Sequence, residues 1–551
     1  MGAYYVTTAI PYVNADPHLG FALELVQADV FARFHRLRGD DTRFLTGTDE
    51  NSLTNVLAAE RAGISVRDLV DRNAGRFRDL TSVLRISNDD FIRTATDSRH
   101  VAGVRRFWEA CAARGDVYRR SYRGLYCVRC ERFFAPDELL DGRCPDHETA
   151  PEVVEEENHF FRLSRYEAAL GRLLDEGRLR VIPEERHREV RAFVARGLED
   201  FSISRSRARA RGWGIEVPGD PDQVIYVWFD ALTNYVTALG YGAEAEDPLY
   251  RRYWRESPVR VHVIGKNILR FHAIYWPAML QSAGAAIPTT IFVHGFLTRG
   301  GRRMSKSLGT GVDPTTLAQA WGADAVRYWL LRHVPPTGDA DFSDTAFARV
   351  YAAELADDLG NLVSRVVGLL HRHRAGVVPE SHGSADSEIR ALAASLPPKI
   401  DQALGASFDP RAALDAVFAL VVRANRYVED ERPWTLARQE HEGARDAVHR
   451  LDTVLYELAE ACRVIGEALR PLLPETAERI AAALGVPLAK CWTRGLEWGG
   501  LQPGRPVGKT PPLFPRPDLR NGASGGPDSE DADATRGRRG RRGSGGRPPE
   551  A

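Results

Sequence analysis

The spacing of apolar and polar positions changes several times along the chain, and each change marks a stretch of different architecture. Residues 3–10 form a short, β-prone apolar run. From Pro17 onward, apolar positions recur at helical spacing through Leu23, Val26, Val30 and Phe34. Asp16 is expected as the N-cap of that helix, with Pro17 at its first position. Thr42 to Thr48 reads as a strand that ends in the polar turn Asp49-Glu50-Asn51, where a parallel sheet places its ligand residues. This alternation of strands and helices predicts the first half of a nucleotide-binding α/β layer over residues 1–114. The pattern is lost over 115–221 and returns over 222–300. There Val224–Asp230, Val261–Gly265 and Thr290–His294 are expected as strands, the second running into a helix. Residues 301–357 form a short linking segment with a helical stretch at 315–333. Beyond it the period becomes helical: Leu355, Leu359, Leu362, Val366 and Leu369 share one face, leaving Asn361 and Arg365 together on a more polar one. Further helices are expected at 410–428 and 446–468, so residues 358–515 read as a helix bundle. Trp434, after Pro433 and a charged run, is expected to be exposed.

Composition bounds the function classes. A chain of 551 residues accommodates about three or four domains. Its formal net charge of −1 provides no global basic field, so any nucleic-acid contact must be local. With no signal pattern and no run of 18 apolar residues, the expectation is a soluble cytoplasmic protein. Residues 516–551 are rich in Gly, Pro, Ser, Asp and Arg. They carry an acidic patch (Asp528, Glu530, Asp531, Asp533) and then an arginine cluster from Arg536 to Arg542, and are expected to be disordered.

Six cysteines are too few and too clustered for a secreted disulfide framework. Cys127 and Cys130, then thirteen residues, then Cys144 and His147 match a four-ligand tetrahedral zinc pattern. With all four positions filled by protein, the zinc would be structural, stapling a knuckle too small for its own core. Cys111, Cys462 and Cys491 are expected as buried bystanders.

Two further stretches carry candidate chemistry. A helix that starts directly after a strand is a ready anion site, and His18 adds a donor there beside Gly20. Far downstream, Gly301-Arg302-Arg303-Met304-Ser305-Lys306-Ser307-Leu308-Gly309 is a glycine-flanked loop with one lysine between two serines. Brought over the same site, it would stabilise charge developing on a triphosphate during displacement. Of 74 Lys+Arg residues only five are lysines, and two of them, Lys266 and Lys306, fall in the segments assigned to the nucleotide site. A compact ammonium is not interchangeable with arginine.

His18-Leu-Gly-Phe21 and Arg303-Met-Ser-Lys-Ser307 resemble the two signature motifs of class I aminoacyl-tRNA synthetases, and the surrounding residues resemble the methionyl family in particular, over about residues 3–500. The resemblance implies an α/β fold: a Rossmann-type parallel-sheet catalytic domain split by a zinc-knuckle insertion, then a linker domain with the lysine loop and a helical anticodon-binding bundle. It implies ATP with Mg2+, L-methionine and tRNA(Met) as reactants, one structural zinc ion, no membrane partner and a monomer. ATP would be held by His18, Gly20, Phe21, Lys266, Ser305, Lys306 and Ser307, with His18, Arg303, Lys266 and Lys306 as the catalytic set. Asp49 would hold the substrate's ammonium. Ala9, Ile10, Tyr12, Trp228, Tyr235, Ile268 and His272 would enclose the methionine side chain, with Arg205 near the substrate end. Asn361, Arg365 and Trp434 would read the anticodon. The chain departs from the family pattern at Phe21 (histidine in the family), Arg303 (lysine), Asn51-Ser52 (His-Gly) and Asn267 (often an acid). The alternatives are a specialised paralogue with the same chemistry, conferring inhibitor resistance or serving biosynthesis, and a catalytically inactive tRNA-binding protein.

Overall fold

β1 (Ala3–Thr8) shows no polar–apolar alternation, and every residue after Ala3 is buried. A strand covered on both faces belongs inside a parallel sheet. The computed structural model, which describes residues 2–129, 131–145, 148–304, 310–383, 387–509 and 511–516, places it there. The chain continues through α1 (Leu19–Arg38), β2 (Asp41–Thr48), α2 (Leu53–Ala62), α3 (Val66–Val83), β3 (Asp90–Arg93) and α4 (Ser98–Ala113). Then come β4 (Val117–Cys127), β5 (Arg132–Phe134), β6 (Glu152–Phe161), α5 (Glu167–Asp175), β7 (Arg180–Ile182), α6 (Glu184–Ala195), β8 (Phe201–Ser202), β9 (Ser204–Ser206), β10 (Glu216–Val217) and β11 (Asp220–Ile225). The return to the sheet is α7 (Val227–Thr237), β12 (Val259–Gly265) and β13 (Thr290–His294).

Six strands pair in parallel in the order β3-β2-β1-β12-β13-β7. The strand order switches between β1 and β12, so a crevice opens outside the carboxyl ends of those two strands, where α/β proteins bind ligands. β2 and β3 come close at Gly47: a Cβ there would lie 2.2 Å from the Ile92 carbonyl oxygen. β7 arises within residues 115–221, but most of that stretch builds two small antiparallel sheets, β5-β4-β6-β8 and β10-β11-β9.

Four expectations are corrected. α1 starts at Leu19 and its N-cap is His18, in extended conformation, rather than Asp16; Asp16 instead pairs with Arg76. Val224–Asp230 is only half strand: β11 ends at Ile225 and α7 begins at Val227. A short apolar run fits a buried strand or a buried helix equally well, and here Phe229 and Asp230 are buried in the first turn of a helix covered nearly all round. The helix expected at 315–333 is two, Pro314–Trp321 and Ala323–Arg332, divided at Gly322 with φ 90°. Cys111 and Cys462 are buried, but Cys491 is exposed, because it precedes the short helix in which Trp492 takes the buried position.

Beyond residue 350 the chain is helical, with Asn361–Arg374, Pro410–Glu431 and Arg445–Leu469 the principal helices. Leu355, Leu359, Leu362, Val366 and Leu369 are all buried in one large core that also takes in Leu19, Leu23, Val26 and Val30 of α1. One fully buried cation crosses this junction. Arg327 pairs with Asp29 of α1 at 2.7 Å and donates to the carbonyls of Leu84 (3.2 Å) and Leu472 (2.9 Å). No helix among the described residues is long and apolar enough to cross a membrane.

Candidate active site

A cavity of about 350 Å³ lies at the switch point, lined from the ends of β1, β2, β12 and β13 and from the start of α7. Ala9, Ile10 and Tyr12 follow β1, Asp49 follows β2, Ile268 and His272 follow β12, and Trp228 and Tyr235 project from α7; all eight line this one cavity. So do His18, Gly20 and Phe21 at the start of α1. The His18 ring accepts from the Gly20 N–H at 3.1 Å, and a Cβ on residue 20 would sit 2.9 Å from that ring. Glycine at 20 therefore lets His18 fold over the helix end. Phe21 packs edge-on against Phe77, with centroids 5.2 Å apart.

The apolar part of the cavity has fixed walls. Trp228 stacks face to face on Phe271, with centroids 3.7 Å apart and planes within 5°. The Tyr235 hydroxyl lies 2.7 Å from His272 Nε2, and His272 Nδ1 lies 2.9 Å from the Ile268 carbonyl. Burial pushes the His272 ring down to about 4, so it is neutral at physiological pH.

The polar part is acidic. Asp49 is buried, and its Oδ1 has no hydrogen-bond partner among the described residues. Desolvation, then the neighbouring Asp230 and Glu131, push its carboxyl well above the usual range. The Asn51 backbone supports this carboxyl group, and a buried carboxylate with one oxygen left unpartnered toward a cavity suits a ligand ammonium. A second acid, missed in the sequence analysis, is Glu24 of α1, which lines the cavity 2.9 Å from His294 Nε2. His294 Nδ1 donates to the Gly295 carbonyl at 2.7 Å, so the Glu24–His294 contact needs one shared proton; burial raises the Glu24 carboxyl. Polar residues inside otherwise apolar elements (Glu24 in α1, His294 at the end of β13) were the available signal. Arg129, Arg132, Asn267, Phe271, Phe296 and Met304 also line the cavity.

Two other predicted residues, Lys266 and Arg205, lie off the cavity wall. Lys266 reaches Asp339 at 2.7 Å and lies 4.4 Å over the Phe296 ring. Arg205 is buried behind the site, donating to Ser202 Oγ (3.0 Å) and the Ser204 carbonyl (2.7 Å) and stacking 4.1 Å over Tyr226. Arg303 lies in the two-residue strand Arg302–Arg303. Ser305, Lys306 and Ser307 lie outside the described residues, as do Cys130 and His147. Cys127 and Cys144 are buried together with Phe134 in a small cluster of their own. In the helical region, Arg365 stands 5.4 Å over the Trp434 ring and pairs with Glu429 at 2.6 Å; Trp434 is 41% exposed, and Asn361 is exposed one turn away.

A parallel sheet with its ligand cavity at the switch point and a histidine-capped helix after β1 fits a class I aminoacyl-tRNA synthetase, and comparison with known proteins shows that class. The family described as "tRNA synthetases class I (M)" matches residues 4–151 and 136–367. The methionine–tRNA ligase of Brucella suis is 41% identical over 524 residues, covering 93% of this chain and 98% of that protein. The Mycobacterium leprae methionine–tRNA ligase is 43% identical over 496 residues, covering 88% and 90%. Among solved structures, the Mycobacterium tuberculosis methionyl-tRNA synthetase in complex with methionyl-adenylate superposes with a TM-score of 0.88 at 40% identity, covering 94% of this chain and all of that one. Its apo form superposes at 0.80. The chain belongs to the methionyl-tRNA synthetase family.

Proposed function

We propose that this chain activates L-methionine with ATP and transfers the product to tRNA(Met), supplying translation initiation and elongation. A methionine carboxylate oxygen attacks the α-phosphate, and the bond to the leaving pyrophosphate breaks, giving methionyl-adenylate. The terminal ribose hydroxyl of tRNA then attacks the acyl carbon, AMP leaves, and an ester forms. The observation that carries this reading is one cavity in which buried Asp49, with its Oδ1 unpartnered among the described residues, faces aromatic and aliphatic walls. Asp49 takes the ammonium. Trp228, Tyr235, His272, Ala9, Ile10, Tyr12 and Ile268 take the polarizable thioether.

Positioning and charge stabilisation carry the rate, without a side-chain nucleophile. His18 and Gly20 hold ATP at the α1 N-terminus with Phe21 beside them; Mg2+, when bound with ATP, neutralises phosphate charge. Lys306, flanked by Ser305 and Ser307 and supported by Arg303 and Lys266, meets the leaving pyrophosphate. Arg205 supports the site from behind through Tyr226. Cys127, Cys130, Cys144 and His147 would hold a zinc ion, which supplies a cross-link only. The donor set suits zinc, and the two described thiols lie buried together. Asn361, Arg365 and Trp434 present a hydrogen-bonding and stacking face for splayed anticodon bases. The protein works in the cytoplasm, as a monomer.

The test is amino-acid-dependent ATP–pyrophosphate exchange across the twenty amino acids. Exchange with methionine alone is expected. Exchange with another amino acid would overturn the pocket reading, and no exchange in protein that binds tRNA would leave a binding protein.

A further inference from the structure

The turn that carries Asp49 is anchored on two sides by Asn51 and Ser52, two of the residues that depart from the family pattern. Asn51 Nδ2 donates to Asp230 Oδ2 at 2.7 Å, and Asp230 is held from its other oxygen by His100 at 2.6 Å. Ser52 Oγ donates to Glu131 Oε1 at 2.6 Å, and the Thr54 N–H donates to the same oxygen at 3.2 Å. Ser52 is the N-cap of α2, so the Glu131 side chain sits at the start of that helix, where the Ser52 hydroxyl and backbone N–H groups offset in part the burial that raises its carboxyl.

Glu131 belongs to the cysteine-bearing loop, not to the sheet. It is 4% exposed, adopts φ +51°, and its backbone carbonyl accepts the Tyr226 hydroxyl. A non-glycine residue in the left-handed region persists only where its surroundings hold it. Its neighbours in the loop, Arg129 and Arg132, both line the cavity. One side chain therefore seats the loop against the methionine-binding turn and delivers two arginines to the cavity.

We propose that Ser52 and Glu131 form a latch that positions the Asp49 turn and the arginine-bearing loop together, so that the amino-acid site is assembled before substrate arrives. Both are positioning residues: neither lines the cavity, and each acts through what it holds. A glycine at position 52 has no hydroxyl with which to make this contact, so the latch depends on the residue this chain carries. The inference rests on the cavity being the methionine site.

The experiment compares wild-type protein with Ser52→Gly, Ser52→Thr, Glu131→Ala and the Ser52→Gly/Glu131→Ala double variant in methionine-dependent ATP–pyrophosphate exchange, with melting temperatures measured in parallel. Loss of the hydrogen bond between the Ser52 hydroxyl and the buried Glu131 carboxyl group predicts a rise of about tenfold in the methionine KM for Ser52→Gly and Glu131→Ala. kcat and the ATP KM should change far less. The double variant should be no worse than the Glu131 variant alone, because the contact Ser52 makes is already lost there, and Ser52→Thr should keep most of the affinity. Additive effects, an unchanged methionine KM, or a lowered melting temperature without a KM change would overturn the latch. Should a variant not fold, the Ser52→Thr comparison decides: a methionine KM near wild type supports the latch, and one raised as in Ser52→Gly overturns it. Wild-type protein inactive with methionine would overturn the site reading itself and the latch with it.

Discussion

Tyr235 donates its hydroxyl hydrogen to His272 Nε2 and not the reverse. The other ring nitrogen, Nδ1, faces the Ile268 carbonyl at 2.9 Å and must carry the proton there. A neutral ring then has only a lone pair left for Tyr235, 2.7 Å away. The cavity wall is thus held in one tautomer by a backbone carbonyl.

That arrangement has a pH signature. With the ring held at about 4, the methionine KM should show no inflection near 6.5 from this residue. Stability behaves differently. The unfolded chain binds a proton on His272 near 6.5 and the native chain does not until about 4, so stability is lost as pH falls through that window. His272→Gln should flatten this part of a melting-temperature profile. Tyr235→Phe leaves Nε2 buried without a donor and should cost about 1–3 kcal/mol, read by denaturant unfolding.

Asp49 gives a second test. Its raised carboxyl favours the protonated form in the empty site, and an incoming ammonium favours the charged form. Methionine binding should therefore release protons, increasingly so as pH falls, and the KM should rise in the same direction. Calorimetry in two buffers of different ionisation enthalpy measures the release. Asp49→Asn should abolish it and raise the methionine KM by about 100-fold, since one partner of a buried charge pair is lost.

Lys266 pairs with Asp339, whose side chain is half exposed. Such a pair contributes about 0–1 kcal/mol, so a phosphate can readily draw the lysine away. Lys266→Met should leave the melting temperature nearly unchanged and raise the ATP KM by about tenfold, the scale of one charge-assisted hydrogen bond. Steady-state exchange kinetics at varied ATP are the check.

Trp434 lies far from the cavity in sequence and is exposed beneath the Arg365 guanidinium. Trp434→Ala should raise the KM for tRNA by about tenfold through loss of base stacking. Methionine-dependent exchange should be unchanged; loss of exchange would assign the residue to folding.

Purified protein should carry about one zinc ion per chain, as a four-ligand set requires. Chelation, or Cys144→Ser, should remove it and lower the melting temperature, because a closed site contributes its binding energy to folding. Elemental analysis and thermal melting read the two effects separately.

The strands of the sheet could be read because burial on both faces writes a continuous apolar run, as in β1, and the helical faces because Leu355 to Leu369 repeat at one period. The eight residues assigned to the amino-acid pocket converge on one cavity, although they come from four places in the sequence; the family resemblance, not local pattern, brought them together. What stayed hidden was tertiary. The Val224–Asp230 run carries strand composition, yet its second half turns helical once covered on all sides. Asp16 has the chemistry of an N-cap, but Arg76, sixty residues away, takes it, and His18 caps the helix. Glu131 gave no signal because a lone glutamate in sequence looks solvated until its neighbours are known, and Glu24 gave only its place inside an apolar helix.

Arg327 sets a limit on how this chain can be divided. Its guanidinium is fully buried and shared between α1, the carbonyl of Leu84 and the carbonyl of Leu472. A fragment cut before residue 472 would keep the catalytic sheet and its cavity while stripping one acceptor from an enclosed charge and uncovering the apolar side of α1, the helix that His18 caps. The helical region is thus structural for the rest of the chain: the helix that His18 caps stands on it. Minimal catalytic fragments, domain swaps between relatives and circular permutants of this chain should be designed to retain that junction intact.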